Sequence, residues 1–183
     1  KVIKQLPYGN GHINDTYLVR CRDGGKTRKY ILQRINSGVF KEPEKVMDNI
    51  IGVTEFLRER IIKNGGDPER ETLTVIKTKN NKGYFVDGYG DFWRAFIFIA
   101  DAVSLDLPED NNDFYQSAVA FGNFQRQLGD YPIEKLYETI KDFHNTPLRY
   151  ENLLKALEKN ASGRADTALP EIEFVKARKD FTN

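Results

Sequence analysis

Five apolar side chains at helical spacing, Val46, Ile50, Val53, Leu57 and Ile61, impose one amphipathic helix on the first half of the chain. Glu42-Pro43 opens it, with proline where a missing N–H costs little, and Asn64-Gly65-Gly66 ends it after about five turns. The segments on either side read as strands. Thr16 to Arg20 alternate, Arg22-Asp23-Gly24-Gly25-Lys26 is a turn, and Lys29 to Asn36 forms a third strand after the one that ends near Pro7. Beyond the helix, Leu73–Thr78 and Tyr84–Asp87 flank Lys79-Asn80-Asn81-Lys82-Gly83 as a hairpin would, and Phe92–Ile99 is the most apolar strand and is expected to be central. Residues 1–99 therefore predict five or six antiparallel strands with the helix between the third and fourth, an α+β layer.

From Ala100 the texture changes. A loop to Pro108 is followed by helical periodicity from Asn111 to Leu128, a short segment from Ile133 to Ile140, an amphipathic helix from Tyr150 to Lys159 and the start of another at Pro170. The expected boundary lies near residue 100, with residues 101–183 forming a helical unit. Phe114, Phe121 and their aromatic neighbours up to Phe124 are expected to pack in a core, as is Trp93.

With 28 basic and 27 acidic residues, the chain gives no electrostatic reason to expect nucleic acid or an anionic membrane as a partner. Cys21 is the one cysteine, so no intrachain disulfide or cysteine metal cluster can form, which fits a reducing compartment. No apolar run is long enough to span a bilayer and no signal-peptide pattern opens the sequence, so the expected location is the cytoplasm. A start at Lys1 and an end in a charged run lead to the expectation of a fragment.

The chemistry gathers around Pro7–Val19, two strands joined by a glycine-bearing turn. Gly9 and Gly11 permit close backbone approach, and amides presented there can cradle an anion; a plain hairpin turn is the competing reading. By the two-residue period Tyr30, Leu32 and Arg34 share one face of the third strand and Ile31, Gln33 and Ile35 the other. Arg34 stands next to the loop, either as a surface arginine or as a phosphate-pairing cation. His12, at the loop tip, is either an exposed polar residue or a side chain that meets substrate. His144, in Asp142-Phe143-His144-Asn145-Thr146-Pro147, does not complete a phosphotransferase catalytic loop: the base and metal-ligand positions hold Thr146 and Glu151, and Asn152 is one residue out of register. A turn with His144 as a local hydrogen-bonding residue is the better reading. No histidine pair has metal-ligand spacing and no serine has a nucleophile-elbow context.

Gly9-Asn10-Gly11-His12-Ile13-Asn14-Asp15-Thr16-Tyr17, Tyr30 to Asn36, Val39 to Met47 and Phe92-Trp93-Arg94-Ala95 together resemble the N-acetylhexosamine 1-kinase branch of the aminoglycoside phosphotransferase-like family. Asp142 to Thr146, Arg149-Tyr150 and Glu173-Phe174-Val175 resemble that branch too. The resemblance covers essentially the whole chain. It implies a protein-kinase-like N-lobe followed by the first helices of a C-lobe, binding of ATP and magnesium, and transfer of the γ-phosphate to the anomeric hydroxyl of an N-acetylhexosamine. Related kinases act on choline, homoserine or aminoglycosides.

Carried onto this sequence, the resemblance implies that Gly9, Asn10, Gly11, His12, Ile13 and Asn14 cover the ATP phosphates and that Thr16 sits on the strand leaving them. It puts Arg34 where kinases keep their strand lysine, and Phe98, Ile99 and Ala100 at the hinge beside adenine. His12 and His144 are possible substrate contacts. The acidic partner of Arg34 is sought at Glu42 or Glu44 on the helix, although both also read as surface residues. The family's catalytic aspartate and magnesium ligands are expected beyond Asn183, so these 183 residues alone are expected to be inactive. A non-catalytic nucleotide-binding module is the rival expectation.

Overall fold

The computed structural model describes residues 1–103, 105 and 107–182. It divides into two compact units, Lys1–Thr139 and a second beginning at Ile140. The first holds β1 (Val2–Pro7), β2 (Asp15–Asp23), β3 (Lys26–Arg34), α1 (Pro43–Lys63), α2 (Pro68–Glu71), β4 (Phe85–Val86), β5 (Phe92–Ile97) and α3 (Asn111–Gln127). The strands form one antiparallel sheet in the order β1-β2-β3-β5-β4, with α1 between β3 and β4 in sequence. The class is α+β: a five-stranded antiparallel sheet, a long helix, then several further helices.

A two-residue turn at Gly24-Gly25, with φ of +53° and +83°, joins β2 to β3 and sets their register. Thr16 then lies opposite Gln33 and Asp15 opposite Arg34, while β5 adds Arg94 beside Gln33 and Trp93 beside Arg34. Residues opposite one another share a face, so Thr16, Ile31, Gln33, Arg94 and Phe96 belong to one side and Asp15, Leu32, Arg34 and Trp93 to the other. The first side carries α1: Arg94 reaches the sulfur of Met47, and Val46, Met47, Leu57 and Ile61 are buried along with Ile35 and Phe96. Ile50 and Val53, from the same stripe, are half-buried.

The hairpin expected from residues 73 to 87 takes another form. Its turn closes, with the Thr78 amide donating to the Lys82 carbonyl at 2.8 Å and the Lys82 amide to the Thr78 hydroxyl at 3.1 Å. The flanking segments, however, hydrogen-bond to β5. Val75 bridges Phe96, the Ile76 amide donates to Ala95 and the Ile97 amide to Thr74; further along, Phe85 lies opposite Trp93. From Val75 to Phe85 the outer chain advances ten residues while β5 advances three, so the two segments form one edge strand interrupted by an excursion. Local turn chemistry survives, and the unpaired edge of β5 takes the strand bonds.

The opposite side of α1 receives the segment after α3. The Asn49 side-chain amide donates to the Tyr137 carbonyl at 2.8 Å and its oxygen accepts from the Tyr137 amide at 2.9 Å. Arg60 donates to the Gln127 carbonyl at 2.9 Å and pairs with Asp130. Tyr131 stacks edge-on against Phe56, with 5.2 Å between ring centroids. Helix α3 itself is capped by Asp110, whose carboxylate accepts from the Asp113 amide at 3.1 Å, while the Asp113 carboxylate accepts from the Glu109 amide at 2.8 Å. Its aromatics are not core residues, contrary to expectation: Phe114 and Phe121 are 64% and 68% exposed. Contact with α1 is made by the end of α3 and the segment after it, which leaves the aromatic positions outside that contact. Trp93 is half-buried and not a core residue, its indole N–H donating to Asp87 at 2.8 Å.

The second unit contains α4 (Thr146–Lys159) and α5 (Leu169–Lys176), with short 3-10 turns at Ala165–Ala168 and Lys179–Thr182. Asn145 caps α4 by accepting from the Leu148 amide at 3.0 Å, and on α5 Ile172 is buried. Among the described residues, no helix is long and apolar enough to cross a membrane.

Candidate functional site

The connection between β1 and β2 runs from Tyr8 to Asn14 and is tied down at both ends. The Tyr8 amide donates to the Thr16 carbonyl at 2.9 Å. At the other end the Asn14 side-chain oxygen accepts from the Asn36 amide at 3.0 Å, and the Asn36 side-chain amide returns a bond to the Ile13 carbonyl at 3.0 Å. Asn36 also accepts from the Gly38 amide at 2.9 Å, so one side chain organises the loop and the exit from β3 together. Gly9 has φ +80°, which favours glycine. Gly11 has no such backbone requirement, and a Cβ there would meet nothing within 4 Å. Fold alone therefore does not account for Gly11; its effect is to keep the loop surface free of a side chain.

Beside this loop lies a polar cleft of about 290 Å³, lined by His12, Ile13, Asp15, Arg34, Asn36 and Asp91 among others. Arg34 spans its floor. Its Nε and Nη2 donate to Asp15 at 2.8 and 2.5 Å, and its Nη1 donates to Asp91 at 2.9 Å. Hydrogen bonding to Asp15 first and Asp91 second raises the guanidinium pKa above its ordinary value. The carboxylates expected to serve Arg34, Glu42 and Glu44, do not do so: Glu42 pairs with Lys45 at 2.6 Å, and α1 lies on the side of the sheet away from Arg34. Asp15 could have been found from the sequence, because the two-residue turn at Gly24-Gly25 places it opposite Arg34. Asp91 depends on the long-range pairing of β3 with β5.

On the α1 side a second arginine occupies a different environment. Arg94 is half-buried; its Nε donates to the Gln33 side-chain oxygen at 3.0 Å, and Gln33 in turn donates to the Thr16 hydroxyl at 2.9 Å. Its other contacts are the Met47 sulfur at 3.9 Å and the ring of Phe96 at 5.3 Å. Burial lowers its pKa, and it forms no ion pair among the described residues. Nothing in the two-residue period singles it out, since the period does not say which face the helix covers.

The proposed hinge residues already carry hydrogen bonds. The Phe98 amide donates to the Lys29 carbonyl at 3.2 Å, and the Ala100 carbonyl accepts from Arg70 at 2.8 Å; Ile99 lies half-buried between them. The Tyr8 ring meets Phe98 edge-on at 5.7 Å, joining the start of the glycine loop to the end of β5. In the second unit His144 is exposed, its ring edge-on to Phe143 at 4.8 Å, and Thr146 and Glu151 lie inside α4. Among the described residues, no three His, Cys, Asp or Glu side chains come together as a cation site. No family model matches the chain.

Proposed function

We propose that this chain supplies the nucleotide-binding part of an ATP-dependent small-molecule kinase of the aminoglycoside phosphotransferase-like kind, with the anomeric hydroxyl of an N-acetylhexosamine as acceptor. The observation that carries this reading is the loop from Gly9 to Asn14, pinned by Asn36 between β1 and β2 and open at Gly11, on a sheet ordered β1-β2-β3-β5-β4 with α1 between β3 and β4. Such a loop offers backbone amides to phosphate oxygens, and phosphoryl transfer depends mostly on positioning and charge stabilisation. ATP supplies the transferable phosphoryl group; the residues of this chain bind and orient it. Magnesium ligands are not assembled among the described residues, so no step is assigned to the metal here.

A second reading, nucleotide binding without catalysis, rests on the same loop: the stretch around His144 supplies no base or metal ligand, since the corresponding positions hold Thr146 and Glu151, both inside α4. Both readings predict that ATP raises the thermal midpoint of the 183-residue chain; both predict no turnover by that chain alone. A chain whose midpoint ignores ATP and ADP at millimolar concentration refutes both and leaves the loop a plain hairpin. The readings separate on the parent protein: hexosamine-dependent ADP release supports the kinase, and binding without release supports the module. A panel including choline, homoserine and an aminoglycoside identifies the acceptor.

A further inference from the structure

We propose that Arg94 on β5, held by Gln33, is the cation that takes the phosphate oxygens of a polyphosphate ligand, in place of Arg34 on β3. The inference rests on the nucleotide reading above and concerns which side chain performs the charge pairing.

The two arginines stand on adjacent strands and on opposite faces of the sheet. Arg34 has its charge answered twice over, by Asp15 and Asp91, and the local sum of that trio is negative. An incoming phosphate would have to displace both carboxylates and then sit among them. Arg94 presents the opposite case. It is drawn into the layer between sheet and α1 with a neutral amide, a thioether and an aromatic ring for company. A guanidinium taken partly out of water without a counter-charge is costly, and that cost is offset when an anion arrives. The direction of its pKa, lowered by burial, agrees with an unanswered charge.

Gln33 gives the site its orientation. Its oxygen accepts from Arg94 Nε and its nitrogen donates to the Thr16 hydroxyl, so both ends of the amide are assigned by partners. With Nε held by Gln33 and Nη1 directed at the Met47 sulfur, Nη2 is the donor left for a phosphate oxygen. Thr16 belongs to the strand that leaves the glycine loop, so the chain of bonds Thr16–Gln33–Arg94 ties the loop's exit to the cation. The competing account is that Arg94 merely covers Met47 and Phe96 with its stem.

Calorimetric titration of the chain with ATP, inorganic tripolyphosphate and adenosine tests the assignment. Arg94→Met, which keeps the apolar stem, is expected to lose roughly 10- to 100-fold in affinity for ATP and tripolyphosphate, the equivalent of one charged hydrogen-bonded contact, while adenosine affinity holds. Gln33→Glu guards against a folding artefact: it answers the charge internally, so thermal stability is kept while tripolyphosphate affinity falls. The loss in Arg34→Met is expected to be smaller than in Arg94→Met, because Arg34 is already paired with Asp15 and Asp91. Unchanged tripolyphosphate binding in Gln33→Glu, or a larger loss in Arg34→Met than in Arg94→Met, overturns the proposal and leaves the nucleotide reading intact. Tripolyphosphate bound through Arg94 with no added affinity for ATP or adenosine overturns the nucleotide reading and leaves Arg94 in place. Failure of wild type to bind any polyphosphate overturns both.

Discussion

The indole N–H of Trp93 donates to one carboxylate oxygen of Asp87 at 2.8 Å, while the other oxygen accepts from the amides of Tyr89 and Asp91 at 2.9 and 3.0 Å. These bonds, the indole's first, lower the Asp87 pKa from the ordinary carboxylate value. A carboxylate depressed in the folded state contributes stability that is present above the unfolded pKa and lost as pH falls through the folded one. The urea midpoint of wild type should therefore drop more steeply than that of Asp87→Asn below about pH 4. Parallel profiles would refute the linkage. Trp93→Phe should move the Asp87 carboxyl titration upward, as read by NMR.

Met47 is fully buried between α1 and the sheet, and the helix depends on such contacts more than on its own propensity. Met47→Ala should cost roughly 2–5 kcal/mol in denaturant unfolding, whereas Ile62→Ala, at an exposed position of the same helix, should stay within about 0.5 kcal/mol. Equal costs would mean that the apolar stripe is not what fastens α1.

Gly52 sits where α1 meets Tyr131, and a Cβ there would run into the tyrosine hydroxyl. Glycine to alanine inside a helix ordinarily gains about 1 kcal/mol from propensity. Here the collision should reverse the sign, so Gly52→Ala destabilises on its own. Tyr131→Phe removes the obstructing oxygen, and the double variant should recover most of the loss, giving a coupling of at least about 0.5 kcal/mol in a double-mutant cycle. Additive effects would place the strain elsewhere.

Asn36 donates from its side-chain amide to Ile13, accepts from the Gly38 amide, and donates its backbone amide to the Asn14 side chain. Asn36→Ala should cost about 1 kcal/mol per bond lost and speed amide exchange from Gly9 to Asn14 well beyond any change in β3. If the glycine loop binds phosphate as proposed, the same variant weakens ATP binding without touching Arg94. Unaltered exchange in the loop would show that its conformation is intrinsic.

Where local chemistry decides an element, the sequence is a good guide. Pro43 and Asn64-Gly65-Gly66 bracket α1, which runs from Pro43 to Lys63, and Gly24-Gly25 announces the turn that sets the β2–β3 register. What fails is the choice of partner. The turn at Thr78–Lys82 forms as its residues demand, yet nothing within it says that the flanking segments prefer the edge of β5 to each other. Arg34 is visible as a strand cation, but its pairing with Asp91 needs a contact 57 residues away. The aromatic periodicity of α3 establishes a helix and leaves open whether anything covers it; Phe114 and Phe121 lie exposed.

The two margins of the sheet differ in the hydrogen-bonding they offer a stranger. Along β5 the outer chain is broken by the excursion between Val75 and Phe85, so no long ladder of free amides is presented there. β1 is exposed from Val2 to Pro7, with a register shift between Val2 and Lys4, and Val2, Ile3 and Leu6 are all open to water with Lys4 interrupting them. Templated strand addition, and with it the onset of aggregation, is thereby directed to β1, where the charge on Lys4 and the proline at its end are the gatekeepers.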